Sequence, residues 1–247
     1  MSLDSSSMAA EPRSQSALPF SGAAIVAERL AIARGGRALA RDVSFTLQSG
    51  DALLALGPNG SGKTTLLRAL AGLCPLEGGA LKIEAGTLSR AADENAGDAL
   101  NEARSQAVHY LGHANALKAG LTASENTVFW ARYLGRPQFG SEAARAALER
   151  LGVGALASAP AAYLSAGQKR RAALARLVAA PRPIWLLDEP DAALDRAGLA
   201  CLEGLIAEHR AAGGLAIIAT HGQLAAPGAK TLRLGGAVGP AVPESYF

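Results

Sequence analysis

The sequence predicts an α/β fold built on a parallel sheet. Two observations support this: short apolar runs alternate with helical patterns, and a glycine-rich turn joins one such run directly to a helix. The predicted strands lie near residues 24–29, 43–47, 52–56, 184–187 and 216–219, and the predicted helices near 63–72, 142–151, 168–179 and 197–211. Residues from about 105 to 163 hold helix signals and no convincing strand. We therefore predict a helical subdomain inserted into the α/β core.

The glycine-rich turn is a complete phosphate-binding loop of the Gly-x-x-x-x-Gly-Lys-Thr type. Its residues are Gly57, Pro58, Asn59, Gly60, Ser61, Gly62, Lys63 and Thr64, and Thr65 follows them in the helix. The backbone N–H groups of such a loop and the positive end of the helix dipole bind nucleotide phosphates. Lys63 is expected to reach the β- and γ-phosphates, and the Thr64 hydroxyl to ligate Mg²⁺. The loop thus predicts a P-loop NTPase core of the RecA-like type.

A second pattern is an apolar strand that ends in two carboxylates, Asp188 and Glu189. Downstream of a phosphate loop, Asp188 is expected to support the Mg²⁺ of a bound nucleotide, because this hard cation prefers oxygen ligands. Glu189 is then expected to orient and deprotonate the water that attacks the γ-phosphate. An Asp-Glu pair at a solvated strand end is the plainer interpretation of the same residues.

The composition fits one large domain with an ample core, since 49% of the 247 residues are hydrophobic. The net charge is only +3, and the basic residues are dispersed apart from Lys169-Arg170-Arg171, so no nucleic-acid partner is expected. Cys74 and Cys201 match no metal-site spacing and are expected to be reduced thiols. No apolar stretch approaches the roughly 18 residues of a membrane-spanning helix, and no signal-peptide pattern is evident. We expect a soluble chain.

The two ends of the sequence differ from the segment between them. Residues 1–22 are rich in Ser, Ala and Pro and show no periodicity, which predicts a disordered extension. Residues 236–247 predict a C-terminal tail with little regular structure, since glycine and proline dominate the chain around residue 240. The folded domain is therefore expected to span residues 23–235.

The third pattern is Leu164-Ser165-Ala166-Gly167-Gln168, which leads directly into a helix. Ser165 and the Gly167 N–H lie at a predicted helix N-terminus, where an anion can bind. The segment resembles the Leu-Ser-Gly-Gly-Gln signature of ATP-binding-cassette (ABC) ATPases, with Ala166 in place of the first glycine. An ordinary capped helix is the alternative interpretation. The resemblance implies a head-to-tail dimer with two ATP molecules in its interface, each facing the signature of the other subunit.

Two further family motifs follow in the expected order. Ala193-Leu194-Asp195 resembles the D-loop of ABC ATPases, and His221, after a predicted strand, resembles their switch histidine, which contacts the γ-phosphate. The resemblance covers roughly residues 23–235. It implies an ABC-type ATPase domain that uses ATP and Mg²⁺.

Two positions depart from the general family pattern. The position near Arg34 where many ABC domains carry an adenine-stacking aromatic has none, so the guanidinium of Arg34 or Arg37 is expected to stack instead. His113 stands where most members carry the Q-loop glutamine, and an imidazole can gain charge near neutral pH, which an amide cannot. We expect His113 to hydrogen-bond the attacking water or a phosphate oxygen.

The segment Tyr110-Leu-Gly-His113, with Leu121-Thr-Ala-Ser-Glu-Asn126 downstream, resembles the haem-exporter ATP-binding subunits of the bacterial cytochrome c maturation system. That resemblance implies a peripheral position on the cytoplasmic side of the inner membrane, beneath integral membrane exporter subunits. The alternatives are the ATPase subunit of another small-molecule exporter, a soluble ABC protein outside transport, and a small-molecule kinase. The kinase alternative leaves the signature and His221 without roles.

An aromatic cluster in the predicted helical subdomain suggests how such partners bind. Val128, Phe129, Trp130 and Tyr133 lie close together at helical spacing. At least two of the four are expected to pack inside the subdomain. We expect the others to dock a short helix of a membrane subunit.

Overall fold

The computed structural model describes residues 19–85, 96–221 and 224–235. Within these ranges, a five-stranded parallel sheet forms the centre of the molecule, in the order β5-β6-β7-β3-β8. Its strands are β3 (Ala52–Leu56), β5 (Val108–Leu111), β6 (Ile184–Asp188), β7 (Leu215–Ala219) and β8 (Lys230–Arg233). Every residue of β6 and β7 is buried, as expected for strands covered on both faces. The predicted α/β fold with a parallel sheet is confirmed.

A second, antiparallel sheet lies beside the first, with strand order β2-β1-β4. It contains β1 (Ala23–Arg34), β2 (Arg37–Gln48) and β4 (Gly78–Ala85). The predicted strands at 24–29 and 43–47 fall inside β1 and β2, which are longer because they form one hairpin that pairs from Ala24 opposite Gln48 to Arg34 opposite Arg37. Buried side chains of β1 and β2 pack with the central sheet in one apolar core.

The helices of the described residues pack against the sheets and against one another. They are α1 (Lys63–Leu70), α2 (Ala96–Ala107), α3 (Ala123–Tyr133), α4 (Ser141–Arg150), α5 (Ala166–Ala179) and α6 (Arg196–Ala211). Four of them, α1, α4, α5 and α6, match the predicted helices within a few residues. Helix α1 contacts β1, β6 and β7, so it lies against both sheets. None of the described helices is long and apolar enough to cross a membrane.

The helical segment contains one strand that the sequence analysis did not predict. Val108–Leu111 forms β5, which pairs in parallel with β6 from Val108 opposite Ile184 to Leu111 opposite Leu187. The expectation of no strand between residues 105 and 163 is therefore wrong. β5 is the outermost strand on its side of the sheet. The three helices that follow it in the chain, α3, α4 and α5, do pack on one another. Residues 1–18 of the predicted N-terminal extension (1–22) are outside the described residues. The whole of the predicted C-terminal tail (236–247) is also outside them.

Candidate functional site

The phosphate-binding loop runs from β3 to α1. Lys63 is buried, and its Nζ donates to the carbonyl oxygens of Gly57 at 2.7 Å and Pro58 at 3.1 Å. The loop passes close to the end of β8, because a Cβ at position 57 would lie 2.3 Å from the carbonyl oxygen of Leu234. Only glycine fits there without moving the backbone. Ser61 and Thr65 are buried, whereas Pro58, Asn59 and Gly60 are exposed.

The hairpin of β1 and β2 covers one side of this loop. A Cβ at Gly62 would lie 3.1 Å from Leu39 Cβ and 3.2 Å from Ile32 Cδ1, so the two apolar side chains touch the start of α1. Arg34 and Arg37 lie exposed at the end of the same hairpin. No aromatic side chain lies in that turn.

Thr64 and Asp188 meet although they are 124 residues apart. The Thr64 hydroxyl donates to Asp188 Oδ1 at 2.9 Å. The other carboxylate oxygen, Oδ2, is buried and has no hydrogen-bond partner among the described residues. Burial raises the pKa of Asp188, the nearby Glu189 charge adds to the effect, and the Thr64 hydrogen bond opposes it. An orphaned carboxylate oxygen beside a hydroxyl is a pair of hard oxygen donors, which suits Mg²⁺.

Glu189 lies between two imidazoles. His221 Nε2 is 3.2 Å from Glu189 Oε1, and His113 Nδ1 is 3.3 Å from Glu189 Oε2. The Glu189 side chain is 25% exposed, so water can reach the carboxylate from the open side. Its backbone has a φ of 48°, which is uncommon outside glycine. The arrangement holds both carboxylate oxygens while leaving the site accessible.

Strand order explains why these residues converge. In a parallel sheet all carboxyl ends lie at one edge. His113 follows β5, Asp188 ends β6 with Glu189 directly after it, His221 follows β7, and the phosphate loop follows β3. These four strands are neighbours in the sheet. The strand β5, absent from the sequence prediction, is what brings His113 to the edge.

Ser165, Gly167 and Gln168 form a separate group at the N-terminus of α5. The Gln168 N–H donates to Ser165 Oγ at 3.3 Å and the Ser165 N–H to Gln168 Oε1 at 2.9 Å, which is a capping box. The bond to Ser165 uses a lone pair of its oxygen, so the hydroxyl proton can still be donated. A Cβ at Gly167 would lie 2.8 Å from the Ala193 carbonyl oxygen. This group lines a cavity with Ala193 and Asp195, and no residue of the phosphate loop lines that cavity.

Comparison with known proteins decides the family. The family model described as "ABC transporter" matches residues 40–192, which is more than half of the chain. The chain belongs to the ABC transporter ATPases. As a member it binds and hydrolyses ATP as part of a transporter.

The similar curated proteins are named "Cytochrome c biogenesis ATP-binding export protein CcmA". The one from Paramagnetospirillum magneticum is 49% identical over 84% of this chain and 92% of its own length. That from Rhodospirillum rubrum is 46% identical over 90% of this chain and 91% of its own length. Within the ABC ATPases, the chain therefore belongs to the cytochrome c biogenesis ATP-binding export proteins.

Solved structures support the ABC ATPase fold. The ATP-binding cassette MJ0796, solved as a dimer in a post-hydrolysis state bound to ADP and phosphate, matches with a TM-score of 0.63 and 24% identity, over 80% of this chain and 88% of that chain. An ATP-binding subunit of an ABC transporter matches with a TM-score of 0.65 and 22% identity, over 79% of each chain. At these identities the likeness concerns the fold.

Four residues at the edge of this ABC ATPase site were not predicted from the sequence. Thr220 Oγ1 donates to Asp191 Oδ2 at 2.7 Å, which ties the end of β7 to the turn after β6. Arg170 lies buried behind Glu189, and Asn115 accepts one of its N–H groups at 3.2 Å. A buried arginine inside a basic run could have been singled out by its position on the apolar face of α5, but its partners could not.

The aromatic cluster of the ABC ATPase lies on α3. Phe129 and Tyr133 are 38% and 73% exposed, and their rings stack with centroids 6.3 Å apart. Trp130 is half-buried, with its Nε1 donating to the Ala116 carbonyl at 2.9 Å and its ring 4.9 Å from the Arg176 guanidinium. Val128 is half-buried and lines a surface groove with Phe129 and Tyr133.

Proposed function

We propose that the chain is the ATP-hydrolysing subunit of an export complex that serves cytochrome c biogenesis, with haem as the cargo. The observation that carries the hydrolysis is the Glu189 carboxylate held by His113 and His221 beside the Thr64–Asp188 pair. The cargo assignment rests on the 45–49% identity to relatives named for cytochrome c biogenesis and export, and on the family resemblance of the Tyr110–His113 segment.

ATP would bind with its phosphates in the loop from Gly57 to Thr65. The side chain of Lys63 already points along the loop, since its Nζ contacts two loop carbonyls. Phosphate oxygens carry full negative charge and would compete successfully with those neutral carbonyls for the ammonium group. The buried Ser61 hydroxyl has no hydrogen-bond partner among the described residues. Arg34 or Arg37 would stack on the base.

Mg²⁺ would be held by Thr64 and Asp188, whose oxygens already lie together. When bound, the ion supplies positive charge that neutralises the β- and γ-phosphate oxygens. Its arrival would also compensate the buried Asp188 carboxylate, whose orphaned oxygen otherwise carries a desolvation cost.

In the hydrolytic step, Glu189 would accept a proton from the attacking water as the water oxygen bonds to the γ-phosphorus. The bond from the γ-phosphorus to the bridging oxygen breaks, and ADP leaves with that oxygen. His221 and His113 hold the two carboxylate oxygens from opposite sides, so they fix the direction in which the base points. His221 is also expected to contact the γ-phosphate.

A second copy of the chain would complete the site. Ser165, Gly167 and Gln168 lie apart from the phosphate loop of their own subunit, in a different cavity. A capped helix N-terminus that keeps a free hydroxyl proton suits the γ-phosphate of a partner subunit. Two chains would therefore pair head to tail, with two ATP molecules between them.

Membrane exporter subunits would dock on α3. Phe129 and Tyr133 present stacked aromatic faces beside a groove, and such surfaces accept the apolar face of a short helix. The chain would then lie peripherally on the cytoplasmic side of the bacterial inner membrane. Nucleic acid is not among the proposed partners.

A complementation experiment tests the proposed function. In a bacterium that lacks its own copy, the wild-type chain should restore covalent haem staining of c-type cytochromes. Thr64→Val should fail because it removes the hydroxyl at Asp188, whereas Thr64→Ser, which keeps it, should succeed. Normal cytochrome c assembly without the chain, or equal rescue by Thr64→Val at equal protein level, would contradict the proposal.

A further inference from the structure

Arg170 is a buried cation that contacts the catalytic edge from the side of α5. The catalytic edge is the end of the central sheet that carries His113, Glu189 and His221. Arg170 lies on α5 with 2% of its surface exposed. Its Nη2 donates to the carbonyl oxygens of Asp188 at 2.8 Å and Glu189 at 2.7 Å, and its Nε donates to that of Pro190 at 3.2 Å. Three consecutive carbonyls at the end of β6 are thus held by one guanidinium.

The other side of the same guanidinium holds the loop after β5. Arg170 Nη1 lies 3.0 Å from the Gly112 carbonyl oxygen, 3.5 Å from that of His113 and 3.2 Å from Asn115 Oδ1. The planar fork therefore spans two loops that are separate in sequence. These are the loops that carry Glu189 and His113.

Burying this charge is costly, which argues for a geometric role. Desolvation lowers the pKa of Arg170, while the nearby Asp188, Asp191 and Glu189 charges oppose that shift. Its hydrogen-bond acceptors among the described residues are neutral carbonyl and amide oxygens. A shorter lysine ammonium cannot reach all of them in one plane, whereas a guanidinium can.

We propose that Arg170 is a positioning residue for ATP hydrolysis, which sets the Glu189 carboxylate against the His113 imidazole. The inference rests on the roles proposed above for Glu189 and His113. Glu189 has a left-handed backbone, which side chains other than glycine adopt only when their surroundings enforce it. Arg170 enforces it by fixing the carbonyls on both sides of that φ angle. It also fixes the backbone that carries His113.

Arg182 provides a matched control. Its guanidinium also holds backbone carbonyls, those of Val108 at 2.7 Å and Leu134 at 3.4 Å. Val108 is the first residue of β5, so Arg182 lies near the amino ends of the parallel strands, whereas Glu189 lies at their carboxyl ends. Arg182→Lys should disturb the fold to a similar degree and leave the catalytic edge alone.

The experiment measures kcat, KM for ATP and thermal stability in the assembled transporter for both variants. Arg170→Lys should lower kcat about tenfold or more with KM changed less than about twofold, because the base moves while the phosphate loop does not. Arg182→Lys should keep kcat within about twofold at a comparable loss of stability. Equal kcat for the two variants, or a change confined to KM, would overturn the inference.

Asn115→Ala tests the same contact with less risk to folding. It removes one acceptor of Arg170 at a half-buried loop position. It should lower kcat alone by about two- to fivefold, and adding it to Arg170→Lys should lower kcat little further, since the two act through one contact. An unchanged kcat in Asn115→Ala would overturn the inference even if Arg170→Lys did not fold.

Glu189→Gln separates this inference from the proposed function. If Glu189→Gln keeps full turnover, the proposed role of Glu189 fails. If Glu189→Gln abolishes turnover while Arg170→Lys keeps the wild-type kcat, only the role of Arg170 fails.

Discussion

The imidazole of His113 lies 3.3 Å from the carboxylate of Glu189, with Nδ1 facing Oε2. The two residues follow adjacent parallel strands, so their contact is a direct result of the pairing between β5 and β6. Most ABC ATPases carry a glutamine in place of His113. In this chain the residue that departs from the family pattern therefore touches the proposed base itself.

We expect His113→Gln to retain ATP binding and much of the hydrolysis, because an amide can still hydrogen-bond the Glu189 carboxylate. His113→Ala should lower kcat by about tenfold, since the carboxylate loses one of its two flanking partners. ATP affinity should be unchanged in both, as neither alters the phosphate loop. Steady-state ATPase assays of the assembled complex, with ATP binding measured separately, check this. Wild-type kcat in His113→Ala would reduce His113 to a family marker.

Substitutions of Lys63 and Ser165 should block different steps, ATP binding and dimer closure respectively. Lys63→Ala should weaken ATP binding to the isolated chain and abolish turnover, because the β- and γ-phosphates lose a point charge. Ser165→Arg should bind ATP normally as a monomer and block dimer closure by its bulk. Calorimetric ATP binding and size-exclusion chromatography with ATP distinguish the two. If Ser165→Arg loses ATP binding as a monomer, the two-subunit site is wrong.

Two buried histidines should make the fold acid-sensitive. Burial, with repulsion from Arg176, lowers the pKa of His109 to about 3, and burial lowers that of His209 to about 4. Below the unfolded value near 6.5, the unfolded chain binds protons that the folded chain does not. The contribution of these two neutral histidines to the free energy of unfolding is therefore complete above about pH 7, and it is lost as the pH falls toward 4.

By about pH 5 each of these histidines should cost about 2 kcal/mol of unfolding free energy. Urea unfolding at about pH 7.5 and pH 5 measures the loss, with His109→Gln and His209→Gln as variants that cannot titrate there. Each variant should show a smaller drop between the two pH values than the wild type. Identical drops in all three proteins would show that these side chains do not govern the acid response.

The exposed aromatics of α3 should govern assembly with the membrane subunits. Phe129→Ser with Tyr133→Ser should release the chain from those subunits while the chain stays folded, because Tyr133 is 73% exposed and Phe129 38% exposed in the free chain. Leu73→Ser is the control, since Leu73 is 54% exposed and lies just past the end of α1, outside this groove. Co-purification with tagged membrane subunits measures the loss. Equal retention of the double variant and the control would reject the docking surface.

The sequence named the side chains of this site, His113 and His221 included, but not the contacts that these two imidazoles make with Glu189. The phosphate loop and the carboxylates of β6 are short motifs, so their neighbours in sequence are also their neighbours in space. The sequence did not predict β5 because this strand has only four residues and one of them, the polar His109, is only 2% exposed. Strand β8 was not predicted for a related reason: its residues Lys230–Arg233 are largely polar, although they pair with β3. Pairing in the sheet outweighed local propensity in both.

The role of Arg170 could not be predicted from the sequence for a different reason. Its partners are backbone carbonyls of two loops, which every residue type possesses, so no sequence pattern marks them. In the sequence it was one member of a basic run. The structure alone distinguishes it from its neighbour Arg171, which pairs with Asp195, the N-cap residue of α6.

Glu189 is the proposed base of an ATPase that a second copy completes, and Glu189→Gln examines both parts of that proposal in one protein. The amide keeps the shape of the side chain and leaves the Thr64–Asp188 pair and Lys63 in place, but it cannot accept the proton of the attacking water. Phosphate release and the oligomeric state should be measured together in the presence of ATP and Mg²⁺. We predict loss of turnover and a stable ATP-bound dimer. Full turnover would show that Glu189 is not the base, and a protein that remains monomeric with bound ATP would rule out the two-subunit site.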